Sequence, residues 1–189
     1  MYVLIKCSYQ QNIKHGGNPL EERVSSKDRT TSGLVHLGFY QSEHYDALKA
    51  FWLPEDQKAF TALPVEALEK CKGEKERRPV VILNGKTPVG FFVLHTGENI
   101  RPFTDNPRAV LLRALSVNYS EQGKGYAKKA MALLPAFVKA HFPDVDEIVL
   151  AVNERNLAAQ KLYFAVGFID RGLRREGRSG PQLLLHYPL

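Results

Sequence analysis

Apolar and polar positions begin to alternate at Val35, where the run VHLGFY predicts a strand. Residues 42–53 have helical spacing, with Tyr45, Leu48 and Trp52 near one face. Pro54 and Pro64 punctuate the next stretch, and each can open a short helix, because proline suits the first helical position. Residues 73–78 read as a loop. Two apolar runs, 80–83 and 89–95, flank Asn84-Gly85, a strong short hairpin signal because both residues tolerate positive φ. Residues 109–117 are apolar at nearly every position, as expected of a central strand covered on both faces. A helix is predicted from about 125 to 141. Pro135 inside it should bend it, since proline lacks an N–H and crowds the carbonyl of Met131. A strand over 147–152 and a helix over 157–166 come next, with Gly167 as a good terminating residue. Residues 168–173 and 182–187 close the chain as a hairpin. This order predicts one α/β domain with a mixed sheet over 34–189. Residues 1–33 are harder to place: Val3–Ile5 reads as a short strand, and 16–19 and 25–32 as loop, together an N-terminal extension.

Composition narrows the class. A chain of 189 residues suits one domain, and 44% apolar with 24% charged residues is the balance of a soluble globular protein. Cys7 and Cys71 suggest neither a disulfide framework nor a zinc site, and the six histidines show no metal-binding spacing. The opening MYVLIKCSYQ is not a secretion signal, and no run approaches the roughly 18 apolar residues of a membrane helix. A cytoplasmic protein without membrane partners is expected. The net charge of +6 permits a phosphate-bearing partner without demanding one. It is concentrated in KGEKERR (72–78) and RGLRREGR (171–178), where interleaved glutamates and predicted loops favour solvated charge. A nucleic-acid module is disfavoured, because no recognition motif or basic face interleaved with aromatics is present.

Two segments carry chemistry. In the first, the strand ending Leu115, Ser116, Val117 leads through a short loop to Gln122, Gly123, Lys124, Gly125, Tyr126, Ala127 and Lys128. Free N–H groups and the positive end of a helix dipole then converge on one spot, and small residues let a pyrophosphate approach the backbone. Neither a Walker loop nor a Rossmann fingerprint is present, and a plain tight turn would look similar. In the second segment, Asn156, Ala159 and Tyr163 share one helical stripe. Alone, Asn156 reads as a cap and Tyr163 as core.

Taken together, Gln-x-x-Gly-x-Ala after a strand and, some thirty residues on, Asn-x-x-Ala-x-x-Leu-Tyr-x-x-x-Gly-Phe closely resemble the GNAT superfamily of N-acetyltransferases. The likeness runs from about residue 80 to the end, more loosely from 35. It implies a mostly antiparallel mixed sheet flanked by helices, acetyl-CoA as co-substrate, and a primary amine as acceptor. By the resemblance, Gln122, Gly123, Lys124, Gly125, Tyr126, Ala127 and Lys128 cradle the pyrophosphate. Leu115, Ser116 and Val117 splay from the neighbouring strand at a bulge and meet the pantetheine arm. Asn156 and Ala159 line the cofactor, and Tyr163 protonates the departing thiolate.

The chemistry requires a neutral amine. A lysine-like amine, with a pKa of about 10.4, starts roughly 4 kcal/mol uphill near neutrality; an α-amine costs less than about 1.5 kcal/mol. Some relatives place a glutamate on the central strand, whereas residues 109–117 contain no carboxylate. Glu98, His95 and Glu121, acting through water, are candidate substitutes. Arg113 is the odd residue of that strand; a structural ion pair is the favoured reading, binding an acidic group of the acceptor the second. No cysteine lies in either motif, which favours direct attack in a ternary complex. A non-catalytic acyl-CoA sensor is the alternative, and a homodimer is left open.

Lying outside both motifs, residues 1–32 are expected to be dispensable for acetyl-CoA binding. A truncated protein that is insoluble or unfolded would place them in the core or at a dimer contact.

Overall fold

The computed structural model describes residues 34–189, so the strand and loops expected before them lie outside the described residues. The chain runs through β1 (Val35–Phe39), a 3-10 turn at Ser42–His44, and three short helices: α1 (Tyr45–Lys49), α2 (Glu55–Lys58) and α3 (Pro64–Cys71). It continues through β2 (Arg77–Asn84), β3 (Thr87–His95), β4 (Ala109–Val117), α4 (Tyr126–His141), β5 (Glu147–Asn153), α5 (Leu157–Ala165), β6 (Ile169–Gly177) and β7 (Gly180–Pro188). The strands form one seven-stranded sheet in the order β1-β2-β3-β4-β5-β7-β6. Every pairing is antiparallel except β4 with β5. The mixed, mostly antiparallel α/β sheet expected from the sequence is therefore what the chain forms.

The continuous apolar runs are explained by helices on both faces. Along β2, Val80 and Ile82 point to one side, with Phe92, Leu94, Val110 and Leu112. Against them packs one stripe of α4: Ala130, Met131, Leu134 and Val138. Val81 and Leu83 point to the other face and meet Leu48, Phe51, Ala67 and Leu68 of the α1–α3 layer. Helix α4 continues through Pro135 to His141, and Pro64 occupies the first turn of α3 as expected.

Several sequence expectations need correction. The helix foreseen over 42–53 stops at Lys49; of the expected face Leu48 is buried but Tyr45 and Trp52 are exposed, and Phe51 and Leu53 fill the core in their place. Asn84 pairs with Thr87, which moves the two-residue turn to Gly85-Lys86, and only Gly85 adopts positive φ (59°). The expected loop at 73–78 yields to strand at Arg77. The basic run 171–178 is mostly β6, an edge strand, rather than loop.

A bulge shapes the middle of the sheet. Val93 pairs with Arg113 but Phe91 with Ser116, so β4 spends an extra residue opposite β3. Ala114 takes the strain, with φ of 53°, the one positive φ of a non-glycine among the described residues. Gly90 permits the close approach: a Cβ there would lie 2.7 Å from Ile82 Cδ1 and 3.0 Å from the Ser116 carbonyl oxygen.

Glycine tolerates the left-handed region and β-branched residues do not. Ala114→Gly should thus keep or raise stability, whereas Ala114→Val should cost about 1–3 kcal/mol in urea unfolding. Equal stability of the valine variant would show that the bulge is not rigidly held.

Candidate active site

After β4 the chain makes a 3-10 turn at Tyr119–Glu121 and reaches Gly123 (φ 76°) and Gly125 (φ 80°) before α4 begins. A Cβ at either glycine would meet nothing within 4 Å, so the left-handed backbone, not crowding, calls for glycine. Gly125 is the N-cap of a 16-residue helix, and no side chain caps it. The first-turn N–H groups and the positive end of the dipole therefore face outward, an arrangement suited to an anion. Around them, Lys124 pairs with Glu121 at 3.0 Å, Ala127 is half-buried and Lys128 is exposed.

Two loop residues act as braces. Gln122 Nε2 donates to the Val117 carbonyl at 3.0 Å, and Gln122 exchanges two hydrogen bonds with Gln57 of α2, at 2.8 and 3.1 Å. The Tyr126 hydroxyl accepts from Asn84 Nδ2 at 2.8 Å, tying the start of α4 to the β2–β3 turn. These residues offer main chain to a ligand.

The parallel ladder between β4 and β5 runs from Ala109–Glu147 to Leu112–Leu150 and stops. Beyond it Leu115, Ser116 and Val117 pair with no strand on the β5 side. The Leu115 carbonyl accepts from Thr61 Oγ1 at 3.1 Å, and Ser116 is buried with its hydroxyl unpartnered among the described residues. Past β5, Asn156 caps α5 by accepting from the Ala159 N–H at 3.1 Å, which leaves its amide NH2 as the group able to reach outward. Tyr163 is 7% exposed and packs edge-on to Phe168 with ring centres 5.5 Å apart. Burial pushes its phenol pKa well up. Loop and gap thus adjoin the β5-side edge of β4, and α5 follows β5, the strand on the other side of that gap.

On the sheet face covered by α1–α3 lies a cavity of about 340 Å³. Leu112, Arg113 and Ala114 of β4 line it, with 59–62 after α2, Glu66 and Lys70 of α3, Phe103, and Arg175, Arg178 and Ser179 near the β6–β7 turn. The structure contradicts the ion pair favoured for Arg113. No carboxylate among the described residues pairs with it; its Nη1 donates to His95 Nδ1 at 3.2 Å, and its guanidinium lies 5.7 Å from the Phe103 ring centre. Burial, then Arg77 and Arg113, push the His95 pKa down to about 4, so the ring is neutral and accepts.

A parallel strand pair that parts beside an uncapped helix start, with a cavity of about 340 Å³ on the face under α1–α3, is the geometry to set beside the comparisons. Residues 43–168 match the acetyltransferase (GNAT) family. The chain is 51% identical over 154 residues to the uncharacterised N-acetyltransferase YbbJ of Bacillus subtilis (strain 168), covering 81% of this chain and 96% of that one. The chain belongs to the GNAT family. Its fold is similar to that of the aminoglycoside acetyltransferase AAC(6')-Ib with coenzyme A and kanamycin (TM-score 0.65, 18% identity, 82% of this chain and 95% of that one). It is also similar to a Vibrio cholerae spermidine N-acetyltransferase with CoA and spermine (TM-score 0.62, 17% identity, 82% and 95%).

This GNAT chain is an acetyl-CoA-dependent N-acetyltransferase, and the cavity under α1–α3 is only partly legible in the sequence. Arg113 stands out there; Arg77, Arg175 and Arg178 lie in the two basic runs read as solvated charge and Lys70 in neither, because the lining comes from separate elements. The three candidate bases do not line the cavity. Glu98 pairs with Arg101, Glu121 with Lys124, and His95 is a weak, buried base already bonded to Arg113.

Acetyl-CoA should raise the thermal midpoint, since a ligand at 100 times its Kd adds about 2.7 kcal/mol to the folded state. Gly125→Glu sets an anion at the uncapped helix start and should abolish that shift. A folded variant with the full shift would remove this loop from the cofactor site.

Proposed function

We propose that the protein transfers an acetyl group from acetyl-CoA directly to a primary amine seated in the β4 cavity. The observation that carries this reading is the shared strand: β4 borders the cavity through Leu112, Arg113 and Ala114, and the gap beside β5 through Leu115, Ser116 and Val117. An amine on one side and a thioester on the other would meet at the bulge.

The residues fit the co-substrate. Gly123 and Gly125 leave open space over an uncapped helix start, and the free edge of β4 offers unladdered backbone. In this assignment the backbone from Gln122 to Ala127 holds the pyrophosphate, aided by Lys128. The β4 edge aligns the pantetheine, and the Asn156 amide and Ala159 border it. When bound, acetyl-CoA supplies the activated acetyl group. A β4 N–H facing the gap polarises a carbonyl placed there, where water is sparse and such dipoles act strongly.

Tyr163 is assigned the sulfur side. Its raised pKa means that it keeps its proton until late, so it works chiefly as a placed hydrogen-bond donor as charge grows on sulfur. Direct attack fits the one described cysteine: Cys71 does not line the cavity, and burial pushes its thiol pKa up, away from the reactive thiolate. None of the three candidate bases lines the cavity, and its one carboxylate, Glu66, accepts from the Leu63 N–H; in this assignment the amine arrives neutral or loses its proton through water. The surrounding cations favour that neutral form.

Tyr163→Phe keeps the ring and removes one oxygen, so acetyl-CoA affinity should hold while kcat falls by about 10²-fold, the low end for a positioned acid. Full kcat in that variant would assign the sulfur's proton to water. For the unmodified protein, kcat/KM should rise tenfold per pH unit below the acceptor's own pKa. A second break tracking His95 would restore it as a base.

A further inference from the structure

Five cations line the acceptor cavity (Lys70, Arg77, Arg113, Arg175 and Arg178) against one carboxylate, Glu66. Arg77 lies 2.6 Å from Glu74, its Nε off the hydrogen-bond axis. The other four have no ion pair among the described residues. Arg113 and Arg175 converge on the Phe103 ring, 5.7 and 4.2 Å from its centre, and their side-chain partners are neutral: His95 Nδ1 at 3.2 Å and Gln182 Oε1 at 3.0 Å. Burial and the nearby Arg77 and Arg175 push the Arg113 pKa down, although a guanidinium stays charged. Glu66, whose Oε2 accepts from the Leu63 N–H at 3.2 Å, supplies one negative charge against the five positive ones.

Half-buried guanidiniums are normally matched by carboxylates, because unneutralised like charges in poor solvent repel. Here the matching anion is missing from the described chain at the one place where an acceptor would sit. Resting on the acetyltransferase reading, we infer that the acceptor is a small amine that also carries a carboxylate or phosphate, held by Arg113 and Arg175. Planar guanidinium forks suit either oxyanion. His95 acts as a positioning residue, its neutral Nδ1 fixing Arg113. The same field repels polycations such as spermine or kanamycin, the ligands seen with two proteins of similar fold.

The test is a set of acceptors matched except for charge. Glycine and L-glutamate present carboxylates, O-phosphoethanolamine a phosphate, glycinamide and ethanolamine neither, and spermidine and kanamycin added positive charge. We expect kcat/KM at least 30-fold higher for the better anionic class than for its uncharged analogue, with KM for that class rising with salt. Comparing the carboxylate and phosphate arms identifies the anion. Arg175→Gln and Arg113→Gln should erase most of the preference through KM, with the acetyl-CoA thermal shift retained as proof of folding. Equal or better use of uncharged or cationic amines would overturn the inference and leave the acetyltransferase reading standing. Calorimetry on the CoA-loaded protein separates the two. Selective binding of the anionic amines without turnover of any amine would keep the anion site and count against the enzyme. No charge-selective binding and no turnover would sink both.

Discussion

The parting of β4 from β5 is the constraint on which the rest of the structure depends. Two parallel strands that pair well over four residues would ordinarily continue, because unpaired buried backbone is costly. Three local features stop them. The extra residue at the bulge, with Ala114 in the left-handed region, increases the twist of β4 where the ladder ends. Thr61 then captures the Leu115 carbonyl and Gln122 the Val117 carbonyl, so two acceptors of the freed segment are satisfied by side chains. Each carbonyl keeps a second lone pair, and the adjoining N–H groups stay outside any ladder with β5. The gap is thus built into the folded chain before anything binds.

That gap divides two electrostatic environments. Toward α4 the charge is that of a helix start: partial, backbone-borne and aimed by two glycines. Toward the α1–α3 layer it is whole charge on side chains, five cations around one cavity. The second field also bears on catalysis. At an effective dielectric of 20, a unit charge 6 Å from an ammonium disfavours it by about 3 kcal/mol. That is of the same order as the deprotonation cost near neutrality of an amine of ordinary basicity. A cationic cavity can therefore do part of a base's work, and the absence of a carboxylate from residues 109–117 becomes intelligible. Burial first, and then the same field, keep His95 neutral. Because its folded pKa lies below the usual histidine value, its contribution to stability is full above about pH 6.5 and is lost as pH falls toward 4.

The long elements were legible because their periodicity is uncompromised. β4 matches its apolar run residue for residue, and α4 and α5 end close to where glycine and spacing placed them. The glycine loop before α4 was legible as a strand-to-helix turn because its residues are contiguous, and its two glycines take the left-handed backbone such a turn needs. Edge position hid the second half of β6: the hairpin strand expected over 168–173 continues to Gly177, because an edge strand with little core to cover carries arginine, glutamate and glycine in no alternating order, and reads there as loop. Trp52 misled in the opposite sense: its spacing fits a buried face, yet it stacks edge-on with Tyr119 at the surface, 4.8 Å between ring centres. The cavity was hidden for a topological reason. Its cations come from α3, β2, β4, β6 and the last turn, so no window of sequence contains more than two of them.

The wall of that cavity shows how acceptor and cofactor sides become one mechanical unit. Helix α2 has only four residues, too few to hold itself by its own hydrogen bonds. Its place is set from outside. Gln57 clasps Gln122 of the loop before α4, Thr61 holds β4 at Leu115, and Ser179 of the β6–β7 turn donates to the Ala59 carbonyl at 2.6 Å. The segment lining the cavity is thus fastened to the β4 edge of the gap, to the loop before α4 and to the β6–β7 turn. Gln122 belongs to the motif from which a cofactor contact was expected, yet its side chain faces α2 rather than open space. Its identity is explained by the need for one group that donates to Val117 while exchanging two further bonds with Gln57. A glutamate could accept but not donate, and alanine would do neither, so this position links the two halves of the site whether or not it touches a ligand.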